Sequence, residues 1–155
     1  MEDVLDGIKA YFETNLDTEL SSIESTRECE IERWKVIDTA PTLGNQTPII
    51  EILPDATVPS YLNEDAPNLE GWEEHFIHVL VSMSGTVPKD VQYGLLRYAE
   101  AIIAITDDDF TYGDRFNRVL IANIDYSLMI EAATENTSFL QVLDITLAVR
   151  ETLNT

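Results

Sequence analysis

The stretch Glu74-His75-Phe76-Ile77-His78-Val79-Leu80-Val81-Ser82-Met83-Ser84 leads through Gly85-Thr86-Val87-Pro88 into a run ending at Ile105, where Val91, Leu95, Tyr98, Ala99, Ile102 and Ile103 recur. The two halves have different periods. In the first, Ile77, Val79, Val81 and Met83 alternate and so share one side of a strand, while Phe76 and Leu80 on the other side imply that both faces are partly covered. In the second, apolar residues return every three to four positions, the spacing of one helix face. Gly85 ends the strand, Thr86 is the expected N-cap, and Pro88 falls inside the first helical turn. A strand passing directly into an amphipathic helix is the nucleus from which the rest of the chain is read.

Upstream, apolar residues at 4, 5, 8, 11, 12, 16, 20 and 23 form a helical stripe, with Glu2, Asp3, Asp6, Glu13, Asp17, Glu19 and Glu24 mostly off it. This predicts a helix over 3–25, its acidic first turn matched to the positive end of the helix dipole. Ile31 to Thr39 alternates loosely and reads as a strand; Ala40-Pro41 and Leu43-Gly44-Asn45 have turn composition. Ile49, Ile50, Ile52 and Leu53 form a second strand closed by Pro54. Residues 54–71 carry Pro54, Pro59, Pro67 and Gly71 with little periodicity, which predicts an extended acidic loop or arm. Downstream, the acidic turn Asp107-Asp108-Asp109 leads through Phe110 and Gly113 to a strand over 118–130. A final strand over 139–149 pairs with it as an antiparallel hairpin. The expectation is a single α+β domain over 1–155, a mostly antiparallel β-sheet flanked by an N-terminal helix and a central helix.

The charge is lopsided. Among 155 residues there are 29 acidic and 9 basic side chains, a formal net charge of −20. That disfavours any nucleic-acid binder that works by neutralising phosphates. Leu, Ile, Val and Phe number 46, well above the roughly 20% below which a chain lacks the means to form a packed core. The reading is a folded protein with an acidic skin. Residues 36–88 contain no Lys or Arg while carrying Asp38, Glu51, Asp55, Glu64, Asp65, Glu70, Glu73 and Glu74, which predicts one uniformly negative surface. The single cysteine, Cys29, has no partner in the chain and points to a reducing compartment. The acidic start and the lack of a long apolar run argue for a soluble protein made in a cytoplasm, without a membrane.

The inventory for chemistry is thin. Cys29 lies in Cys29-Glu30-Ile31-Glu32, where carboxylates work against thiolate formation. His75 and His78 are three apart on a strand, hence on opposite faces, and do not share an ion. A calcium loop starting at Asp107 needs glycine sixth and glutamate twelfth, where the chain has Tyr112 and Arg118. The six glycines are scattered, with no phosphate cradle or nucleophile elbow. The expectation is no enzyme, no catalytic residue, no cofactor and no metal. Tyr61 and Trp72, at the ends of the acidic arm, are the candidates for contact with another chain.

The order of elements resembles the tail terminator, or tail completion, proteins of long-tailed bacteriophages. The resemblance is carried by the N-terminal helix ahead of Thr47-Pro48-Ile49-Ile50-Glu51-Ile52 and by the strand His75 to Met83. It continues in the helix Leu95-Leu96-Arg97-Tyr98-Ala99-Glu100-Ala101-Ile102, the Asp108 to Gly113 turn, and the strands Val119 to Tyr126 and Leu140 to Val149. It covers nearly the whole chain in order, through motifs that are individually weak. It implies a virion protein forming a homohexameric ring at the head-proximal end of a tail tube. Its implied partners are further copies of itself, the tail tube protein, a neck or head-completion protein, and DNA passing through the lumen without specific binding. Asp107, Asp108 and Asp109 are then the candidates to face that channel, since repeated carboxylates repel a phosphate backbone. Two other classes stay open: a cytosolic DNA-mimic inhibitor with carboxylates spaced like phosphates, and a small-molecule enzyme whose carboxylates converge in a pocket.

Overall fold

Every apolar position of the N-terminal stripe becomes core. In the computed structural model, which describes residues 1–42, 46–60, 71–132 and 138–152, α1 (Glu2–Arg27) buries Val4, Leu5, Ile8, Tyr11, Phe12, Leu16, Leu20 and Ile23. Gly7 interrupts the run for a reason of space. A Cβ placed there would lie 2.8 Å from the Phe116 ring, so helix propensity worth about 1 kcal/mol relative to alanine is given up for close packing.

The strands are β1 (Val36–Asp38), β2 (Ile49–Ser60) and β3 (Trp72–Gly85), followed by α2 (Pro88–Asp108), β4 (Arg118–Tyr126), β5 (Ile130–Ala132) and β6 (Ser138–Thr152). They form one sheet in the order β1-β2-β3-β6-β4, with β5 also paired to β6. β1 runs parallel to β2; every other pairing is antiparallel. The fold is α+β. Both helices pack on one face, where Ile50, Ile52, Ile77, Val79, Val81, Leu143, Ile145, Leu147 and Val149 join the helix residues in one cluster. Each fully buried Ile or Leu there contributes about 1.5–3 kcal/mol by removal from water.

Four boundaries differ from the sequence reading. Residues 54–60, expected in the arm, continue β2 and pair with β3 as far as Ser60 opposite Trp72, with a register shift between Pro54 and Ala56. The expected strand over 31–39 contracts to Val36–Asp38. The expected strand over 118–130 divides, because Ser127 binds Val142 through both backbone N–H and side-chain oxygen, and pairing resumes only at Ile130. The N-cap of α2 is Val87, without a side-chain cap, and not Thr86; Pro88 takes the first helical position. The antiparallel pairing of the 118–130 region with the last strand stands as expected.

Candidate functional site

Asp107 and Asp108 close α2, and both side chains are exposed. No basic residue occupies that last turn, so two carboxylates sit at the negative end of a helix dipole, where cations are favoured. Asp109 behaves differently. Its carboxylate accepts from Thr111 N (3.0 Å), Thr111 Oγ1 (2.6 Å) and Gly113 N (2.8 Å). Those bonds, the Thr111 hydroxyl foremost, hold its pKa below the ordinary carboxylate value. The three aspartates are thus not equivalent: two are free charges and the third builds the turn.

That turn is anchored from beneath. Tyr112, Gly113 and Asp114 all adopt left-handed backbone, at φ 53°, 72° and 62°. Tyr112 is fully buried, stacks on Tyr11 with ring centroids 4.1 Å apart, and shares a 2.7 Å hydrogen bond with Thr106 Oγ1. Tyr11 donates to Ile105 O at 2.8 Å. The acidic end of α2 is therefore held on a rigid aromatic floor.

Trp72 lies in β3 and not in a loop. It is half-buried, its ring under the Arg150 guanidinium at 4.0 Å. Tyr61 falls outside the described residues. Arg150 and Arg118 also reach Glu74, at 3.9 and 3.6 Å, so the negative surface expected over 36–88 is interrupted there.

Among the described residues, four of the nine exposed large apolar side chains lie along the β4–β5 edge, Leu120 and Tyr126 on opposite faces of the sheet. Leu120 and Tyr126 on β4, Leu128 in the break and Ile130 on β5 are 44, 41, 88 and 61% exposed. β4 ends the strand order among the described residues; its Val119 N–H is taken by Phe110 O at 2.7 Å, and beyond that contact it offers an edge on which another strand can pair. Apolar spacing alone does not reveal this, because it cannot tell an inner strand from an edge.

The histidines do lie on opposite faces. His78, opposite the helices, bonds Asp144 Oδ1 through Nδ1 at 2.8 Å and approaches Asp55 at 3.3 Å. The Asp144 hydrogen bond chiefly raises its pKa above 6.5. His75 is buried and meets Glu73 and Glu151, partners that strand pairing supplies and that the His75 to His78 spacing conceals. The one available signal was Glu73 and His75 at i, i+2, a spacing that shares a face. Cys29 is half-buried on the rim of a cleft of about 720 Å³ between the α1–β1 connection and the β3–α2 turn. Glu32, Asp90, Tyr93 and Arg97 also line that cleft, and no histidine does.

No protein-family model matches the sequence, and no curated protein does. Among solved structures, a chain of the "Virion of native gene transfer agent (GTA) particle" is similar over 76% of this chain and 78% of its own, at 12% identity and a TM-score of 0.34. Among the described residues no helix is long and apolar enough to cross a membrane.

Proposed function

We propose that this chain is a structural virion protein, a subunit of a sixfold ring that caps a phage tail tube at its head-proximal end, joins tail to neck and lets DNA pass. It is not an enzyme and needs no cofactor for this task. One observation supports the reading most: a chain of formal charge −20 leaves Leu120, Tyr126, Leu128 and Ile130 exposed along one sheet edge. Charge of that size keeps subunits apart, whereas an apolar edge marks where another chain docks. A head-to-tail contact of this kind closes into a ring when the rotation per subunit divides the circle. The resemblance of the element order to tail terminators supports reading that ring as part of a phage tail.

The experiment mixes the purified chain with preformed tail tubes and images the tube ends. Ring density at one end of intact tubes is expected, and tubes that stay intact with bare ends would remove the terminator reading. A chain that remains monomeric and instead captures a basic nucleic-acid-binding protein stoichiometrically would favour the DNA-mimic class.

A further inference from the structure

Glu73 and Glu151 stand directly opposite one another on β3 and β6. Like charges in that relation destabilise a ladder, and among the described residues neither pairs with a lysine or arginine: the nearby Arg118 and Arg150 reach Glu74, on the other face. His75 shares their face. It is 2% exposed, and its Nε2 lies 3.1 Å from Glu151 Oε2 and 3.5 Å from Glu73 Oε2. All three donor atoms fall within 4.8 Å of one another. Two ligand atoms each about 2.0–2.1 Å from a tetrahedral ion stand roughly 3.3 Å apart, and the two separations at Nε2 straddle that value.

The other ring nitrogen completes the arrangement. Nδ1 is 2.9 Å from Thr57 Oγ1. A metal-bound imidazole keeps its second N–H on an oxygen, which fixes the ring and leaves the opposite lone pair free. We propose that Glu73, His75 and Glu151 bind one divalent cation of the zinc class, with Thr57 as the positioning residue for the imidazole.

One imidazole and two carboxylates suit Zn²⁺, Co²⁺ or Mn²⁺ better than Ca²⁺, which takes six or more oxygens. Three protein ligands leave a position for water. The ion neutralises the opposed carboxylates and ties the start of β3 to the end of β6, with the far end of β2 held through Thr57. This site is independent of the assembly edge, so either proposal stands or fails without the other.

The test uses the full chain, stripped with a chelator and titrated with zinc chloride at physiological ionic strength. Calorimetry reads affinity, elemental analysis reads stoichiometry, and added cobalt reports geometry by its visible absorption. One tight equivalent per chain is expected, with a rise in thermal midpoint and a tetrahedral cobalt spectrum. Glu151→Gln and Glu73→Gln keep side-chain shape and should each weaken binding at least about tenfold, while Thr57→Val weakens it by about tenfold through the ring's orientation. His78→Asn, on the opposite face, should bind as the parent does. Diffuse uptake of several equivalents, equal competition by calcium, or zinc affinity unchanged in both glutamine variants would each overturn the proposal. His75→Ala is avoided as sole evidence, since it leaves a buried gap.

Discussion

At His78 the sheet's helix-free face places a titratable ring between two carboxylates, Asp144 at 2.8 Å and Asp55 at 3.3 Å. The folded chain favours the imidazolium, mainly through the Asp144 hydrogen bond, so the folded pKa lies above 6.5. A raised folded pKa gives stability that is complete below the unfolded value and disappears as pH climbs through the folded one. Denaturant midpoints should therefore fall as pH rises from about 6.5, and His78→Asn should flatten that slope; an unchanged slope would assign the pH dependence to other groups. The aspartates at the end of α2 separate in the opposite manner. Asp107→Asn and Asp108→Asn each remove a charge from the wrong end of the helix dipole and should stabilise by about 0.3–1 kcal/mol. Asp109→Ala strips three acceptor contacts from the turn and should destabilise by about 1 kcal/mol. Thermal unfolding of the three single variants checks this, and a uniform shift in one direction would show that the turn treats them alike.

Among the elements, β4 and β5 carry the assembly prediction. Leu128→Lys with Ile130→Lys puts two charges on side chains that are 88 and 61% exposed, so the unfolding free energy should stay within about 0.5 kcal/mol of the parent while tube-end binding is lost. Loss of fold instead would place these residues in an intramolecular contact. How far the elements were legible follows from the same physics. Both helices and β3 announced themselves because one face of each is buried more deeply than the other, in β3 as an alternation of buried and half-buried residues. β2 beyond Leu53 did not, since Pro54 and Pro59 read as breakers. Among the described residues β1 covers β2 only at residues 49–51, and the remainder is a local edge with a register shift at Pro54, the setting in which strands tolerate proline. The split between β4 and β5 was equally hidden, resting on Ser127 and its contacts with Val142. Of the candidate site, the acidity of the α2 end was legible, whereas the structural duty of Asp109 and the meeting of Glu73 with Glu151 depend on side-chain geometry and strand register. Neither is written in local spacing.

For the whole molecule, the ring proposed above raises the question of where a net charge of −20 would point. Asp107 and Asp108 oppose their own helix dipole, a local conflict that natural chains tend to keep where function requires it. Repeated around a ring they would form a negative belt effective over a Debye length of about 8 Å at physiological salt, repelling a phosphate backbone and leaving DNA free to slide. Asp107→Lys with Asp108→Lys tests this without touching Asp109, which the turn needs. Particles carrying the double variant should assemble normally and release DNA slowly or incompletely. The defect should ease as salt rises, because phosphate contacts made by the new lysines weaken with ionic strength. Ejection identical to the parent at every salt concentration would place the α2 end on the outside of the ring, and the carboxylates of Asp38, Glu51 and Asp55, toward the β1–β2 side of the sheet, would become the next surface to reverse.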